Sequence, residues 1–312
     1  MINDPNSFVE LLKEKYESPY APGIRDDDFD SITQTGLEEH GLPFNIGDPA
    51  IDALDKMIKD VFNDIVQSQN PTVSELVLKH IAIGVMQTGD VNAFIAKGGD
   101  DVFGIIMNSG LMVLLNKAIK LWVGANDVKN ITYCNRKQVE LLTTDDVHEM
   151  LQELFDYYKS SGIPRGPMIK LGGQSESTYG MALHLAEAFI VCHELGHYLN
   201  GDLDDKDCFT PIPVIPNAYK YREGSNHAKE FKADETGYRL LNNYIDSKYP
   251  DVPTEFRLFS LSCIIDLIGV LSEGESISHP EPMERSINIV RDYYGDEKAN
   301  EWRKTYENPT SS

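Results

Sequence analysis

His193-Glu194-Leu195-Gly196-His197 is the stretch from which the rest of this chain is best read. On a helix, His193 and His197 stand four residues apart and project from one face, where two neutral imidazoles can grip one Zn2+. Glu194, next to the first histidine, can reach a metal-bound water and act as its base. The flanking Ile190, Val191, Leu195, Gly196, Tyr198 and Leu199 carry no charge, as suits a buried helix at the floor of a cleft. The competing explanation is a helix with two core or surface histidines and no metal.

A third ligand stands about thirty residues downstream. Glu230-Phe231-Lys232-Ala233-Asp234 places two carboxylates at i and i+4, hence on one helical face. Glu230 can bind the metal, and Asp234, one turn on, can accept the outward N–H of a zinc-binding histidine and fix its tautomer. Gly237 falls where that helix must pass close to a neighbour. His227 is a competing third ligand, and an exposed amphipathic helix with solvated acids is the alternative for the whole segment. Near the C-terminus, Ser278-His279-Pro280-Glu281-Pro282-Met283-Glu284-Arg285 contains two prolines that forbid a helix interior. A rigidly presented His279 can donate to the oxyanion formed when water attacks a peptide carbonyl. Arg285 opens a final helix and can pair with a site carboxylate. On its own, a His-Pro loop is a turn.

Taken together, HELGH, then EFKAD with its glycine, then HPEPMER resemble the gluzincin family of CAAX prenyl endopeptidases and heat-shock membrane proteases. The step from His279 to Arg285 matches the family's spacing. Upstream, Val91-Asn92-Ala93-Phe94, the Gly98-Gly99 turn and Ser109-Gly110-Leu111 are similar to its strand–turn–strand–helix segment, so the resemblance covers about residues 80 to 290. It implies an α+β, zincin-like metallopeptidase, mostly helical, with a small sheet beside the zinc helix. It implies a zinc-dependent endopeptidase in which His193, His197 and Glu230 are ligands and Glu194 is the general base. Asp234 would support the ligands, and His279 with Arg285 would assist the transition state. Asn92, Ala93 and Phe94 would lie on the edge strand that receives extended substrate. Unlike many members, this chain has no qualifying membrane span: Ile105 to Val123 contains Asn108, Asn116, Lys117 and Lys120, and Leu258 to Leu271 is short and holds Asp266. It also carries an insertion at about residues 124–175.

Composition agrees with a water-soluble, globular chain. The 312 residues with 41% apolar content can bury a sizeable core. A formal net charge of −22 argues against nucleic acid or an anionic membrane as partner, and it either favours basic substrates or serves as a solubility device. The partner that the resemblance implies is a protein or peptide substrate. Met1-Ile2-Asn3-Asp4-Pro5 has neither a basic nor an apolar leader region, so no secretory signal is expected. Cys134, Cys192, Cys208 and Cys263 show no close pairing and read as reduced thiols in a cytoplasmic setting. Two other classes share these features: a regulatory module that keeps zinc but cuts nothing, and a restricted protease such as a toxin or defence protein. Glu194 weighs against a pure scaffold, which has no use for a base.

Along the chain, residues 1–75 read as an N-terminal helical extension and 76–312 as the metallopeptidase domain. Ser7 with Glu10 forms a capping box for a helix through Lys15, and residues 19 to 49 read as an irregular acidic arm. Ile51, Leu54, Ile58, Val61 and Ile65 keep helical spacing before Pro71. Ile81 to Met86, Val91 to Ala96 and Val102 to Met107 read as short strands. In the insertion, Val147, Met150, Leu151, Leu154, Phe155 and Tyr158 predict a helix opened by Thr144 and closed by Gly162, packed as core or serving as a lid. Residues 163 to 175 are expected as a loop, and Asp202 to Asp207 as a solvated acidic loop.

Overall fold

The run Ile81-Ala82-Ile83-Gly84-Val85-Met86 has no polar alternation, the pattern of a strand buried on both faces. In the structure, a computed structural model, it is strand β1 (Ile81–Met86), and all six residues are buried. The structure describes residues 4–16, 49–99, 101–162, 164–204, 209–211, 219–221, 227–272 and 281–307. Strands β2 (Ala93–Gly99) and β3 (Val102–Asn108) join β1 in a mixed sheet, with β3 parallel to β1 and antiparallel to β2. The short β6 (Phe209–Pro211) and β7 (Tyr219–Tyr221) extend it in the order β1-β3-β2-β7-β6. Ala82, Met86, Phe94, Ala96, Val102 and Ile106 meet Phe8, Val9 and Leu12 of helix α1 (Pro5–Tyr16) on one face. Ile83, Val85, Ile95, Ile105 and Met107 enter the main helical core on the other. The alternation along each strand therefore feeds two layers.

That main core is built by α2 (Pro49–Gln67), α3 (Pro71–His80), α4 (Ser109–Asn126), α5 (Thr144–Ser161), α6 (Gly173–Leu199), α7 (His227–Lys248), α8 (Thr254–Ser272) and α9 (Pro282–Glu307). The result is a mostly helical α+β fold, and no described helix is long and apolar enough to cross a membrane.

Several boundaries differ from expectation for physical reasons. Helix α1 starts two residues before Ser7, because Asp4 is the cap. Its Oδ2 accepts from Ser7 N at 2.8 Å and Ser7 Oγ at 2.7 Å, and Pro5, with its fixed φ, suits the first turn. Strand β2 begins at Ala93 rather than Val91, whose N–H donates to Tyr158 Oη at 3.2 Å. Helix α5 is capped by Thr143, in a reciprocal box with Asp146, and not by Thr144. Its Val147, Met150, Leu154 and Phe155 are buried, and Phe155 meets Trp122 of α4 at 6.2 Å, so this face is core packing. The loop expected before α6 contains β5 (Ile169–Leu171), paired antiparallel with β4 (Ile131–Cys134). The expected arm at 19–49 lies almost wholly outside the described residues, which resume at Pro49, where α2 begins.

Asp55 of α2 pins α1 and α2 to the sheet. Its Oδ1 accepts from Val85 N at 2.7 Å and lies 3.0 Å from Lys13 Nζ, while Oδ2 lies 2.6 Å from Lys59 Nζ. Burial pushes its pKa up, but Lys59, Val85 and Lys13 outweigh that and hold it below 3.8. A depressed carboxyl contributes stability above its unfolded pKa and loses it as pH falls through the folded one. Asp55→Ala is expected to cost about 2–3 kcal/mol at neutral pH. In urea melts, the gap from the parent chain should close as the pH drops below 3.8, and a gap unchanged at low pH would refute that origin.

Candidate metal centre

Helices α6 and α7 approach closely because two glycines face the contact. A Cβ on Gly196 would stand 2.7 Å from the Ala233 carbonyl oxygen, and one on Gly237 would stand 3.0 Å from His193 Cα. Either clash would push the helices apart, so these positions set the spacing at which His193 and His197 meet Glu230. His197 and Glu230 are completely buried. The two imidazole Nε2 atoms lie 3.2 Å apart, His193 Nε2 lies 3.5 Å from Glu230 Oε2, and His197 Nε2 lies 3.8 Å from Glu230 Oε1. All ligand atoms fall within 4.8 Å of one another. Tetrahedral zinc with bonds of 2.0–2.1 Å separates its ligands by about 3.3 Å, close to these spacings. His227, the competing ligand, is exposed and outside this group.

Each histidine is backed by a carboxylate. His193 Nδ1 lies 2.9 Å from Asp234 Oδ1, and His197 Nδ1 lies 3.0 Å from Asp202 Oδ2. His197 Nδ1 is hydrogen-bonded to Asp202 and His193 Nδ1 lies beside Asp234, so the two Nε2 atoms are the ones left facing Glu230 and the centre. Arg285 of α9 closes the chain of contacts: Nε donates to Asp234 Oδ2 at 2.7 Å and Nη2 to Oδ1 at 2.6 Å. This bidentate pair is buried on both sides. Burial raises the Asp234 pKa, but Arg285 and His193 overcome it and keep the group below the ordinary carboxylate value. At His193, burial opposes the charged form, yet Asp234 and Glu230 hold the pKa up at about 10. A fully buried carboxylate against two imidazoles needs positive charge among them, a proton or a metal ion. The donor set fits a divalent ion such as zinc.

Asp202 was missed in reading the sequence, where the acidic run after α6 is expected to be solvated. The structure corrects this: Asp202 and Leu203 are buried, while Asp204 is exposed. After Asn200, Gly201 adopts φ 75°, a left-handed turn that few other residues tolerate. It sends the chain back along the helix end, so that Asp202 meets His197. An acid five residues after the second histidine, directly behind a glycine, was the available signal. Asp202→Asn is expected to weaken zinc binding 10–100-fold. Competition with a chelating dye measures this, and parent-like affinity would remove Asp202 from the site.

The other expected site residues are placed as follows. Glu194 is buried beside His193 on α6. Ala93 and Phe94 pair with Met107 and Ile106 of β3, and the Asn92 carbonyl accepts from Asn108 N at 3.0 Å. Strand β2 packs on α6, and its outer side is paired to β7 at Ala96 and Lys97, which bounds the edge expected at Ala93 and Phe94. His279 lies outside the described residues. Cys192 is buried with its thiol pKa pushed up by burial and has no place in the ligand group. Cys134 and Cys263 are likewise free and buried, and Cys208 lies outside the described residues.

No protein-family model, no curated protein and no solved structure matches this chain. What stands is a buried His-His-Glu group able to hold a metal ion on a mostly helical α+β fold.

Proposed function

We propose that this chain is a zinc-dependent endopeptidase of the gluzincin type, acting on extended segments of protein or peptide in the cytoplasm. The observation that carries the reading is the convergence of His193, His197 and Glu230 on one point, with Glu194 beside the first ligand. The separate pairing of each histidine with an acid supports it, since catalytic zinc sites orient their imidazoles in this way. His193, His197 and Glu230 would hold the ion. When bound, zinc polarises a peptide carbonyl and makes water acidic enough to attack near neutral pH.

The remaining steps belong to the chain's own groups. Glu194 takes the proton from the attacking water and delivers it to the leaving nitrogen. His279 donates to the oxyanion, a contribution of about 3–4 kcal/mol for such a donor. Arg285 touches no reacting atom in this account. It fixes Asp234, which fixes His193, and so acts as a positioning residue. Asn92, Ala93 and Phe94 align the substrate backbone, and three buried free thiols suit a reducing compartment.

The test is to incubate the zinc-loaded chain with a mixture of unstructured peptides and identify products by mass spectrometry. Cleavage that stops on chelation and returns with zinc is the expected result. Intact peptides in the presence of bound zinc would replace the endopeptidase with a zinc-binding regulatory module.

A further inference from the structure

Glu187 belongs to α6 but takes no part in the contacts described above. It stands seven residues before Glu194, two helical turns or ~10.5 Å along the axis, and the two carboxyls leave the helix within about 20° of each other. Leu183 and Ile190 share that face. Only 4% of Glu187 is exposed, and its neighbours Ala186 and Ala188 are fully buried. An acid this deep is costly unless it is paired, and an apolar residue would serve the core better.

Among the described residues nothing pairs with it. The α4 lysines on the helix packed against α6 are engaged elsewhere. Lys117 Nζ reaches the Gly166 carbonyl at 3.4 Å, and Lys120 Nζ sits 4.9 Å over the Tyr179 ring. Burial alone pushes the Glu187 pKa up to about 8, with no hydrogen bond or charge acting against it. Its carboxyl oxygens are not among the fully occluded, unpartnered side-chain atoms of the described residues. A local rule broken at this cost, in line with the proposed base, is the pattern of a functional position.

The geometry points to Glu187 as a specificity-determining residue that receives a cationic side chain, Lys or Arg, of the bound peptide. This rests on the endopeptidase reading of the same helix face. A cation is the one class of side chain that restores the ionised acid, whereas an apolar group leaves the burial cost in place and an anion adds to it. An extended peptide advances about 3.3 Å per residue, so a peptide running along α6 would carry its basic residue about three positions from the bond cleaved. The net charge of −22 draws basic segments toward the protein from a distance.

The test uses the zinc-loaded full chain carrying Glu194→Gln, which holds peptide without cutting it. Fluorescence anisotropy is read for labelled peptides in which one Arg, or its neutral isostere citrulline, is moved through every position. At one position Arg is expected to bind at least about tenfold tighter than citrulline, and the ratio should fall below about threefold when Glu187→Gln is added. Equal binding of Arg and citrulline everywhere, or a preference that survives Glu187→Gln, overturns the assignment. Glu187→Asp, which keeps the charge, should retain part of the preference, while a merely structural role would not track charge. Cleavage by the unmodified chain is scored separately. Cutting without Arg selectivity sinks the subsite and leaves the endopeptidase, whereas Glu187-dependent binding without cutting does the reverse. Neither binding nor cutting overturns both.

Discussion

Glu194→Gln is expected to abolish peptide cleavage while leaving zinc in place. The amide has nearly the shape of the acid and fits the same buried position on α6, so His193 and His197 keep their geometry. What is lost is the proton acceptor: an amide cannot take a proton from attacking water and return it to the leaving nitrogen. General-base catalysis contributes about 10²–10⁴-fold, and a loss of that size in kcat should appear with KM little changed. Zinc content by elemental analysis should equal that of the parent chain. Unimpaired turnover would remove Glu194 from the mechanism.

Arg285→Met carries the largest expected cost in stability. The guanidinium pairs bidentately with Asp234, both groups almost wholly buried. Removing one partner of such a pair leaves the other charge without compensation, typically at about 3–5 kcal/mol. The burial that already raises the Asp234 pKa would then act against one fewer opposing charge. A protonated Asp234 grips His193 less well, so zinc affinity should fall with the stability. Adding Asp234→Asn to Arg285→Met removes the orphaned charge and should recover part of the stability without recovering zinc affinity. Urea melts of the metal-free chains, read with a zinc titration, separate the two effects. A single variant within about 1 kcal/mol of the parent would show that the pair is not a structural clamp.

The parts of the site that were legible in advance are those fixed by helix geometry. His193 with His197, and Glu230 with Asp234, each sit at i and i+4, and that spacing needs no tertiary information to put both groups on one face. Gly237 likewise marked the close crossing of α6 and α7 that the structure contains. The pairing of Arg285 with a site carboxylate was open to reading because a motif placed it at the start of a helix. Asp202 was not legible in this way, since its partner depends on the left-handed turn at Gly201 that reverses the chain. Of the strands, β1 was read with its observed bounds and β2 and β3 with ends shifted by one to three residues. The short β4, β5, β6 and β7 were not read as strands, and the strand order was not legible. The parallel pairing of β1 with β3, with β2 on the far side of β3, is set by what covers the sheet. Phe8, Val9 and Leu12 of α1 do this on one face, some seventy or more residues away in sequence, a distance over which local periodicity carries no signal.

The central claim is that His193, His197 and Glu230 bind one metal ion. Elemental analysis of the purified chain beside a His193→Ala variant tests it most directly. One zinc per parent chain, absent from the variant, is the predicted result. A parent chain that holds no metal after reconstitution with zinc, or a variant that retains the same stoichiometry, would contradict it.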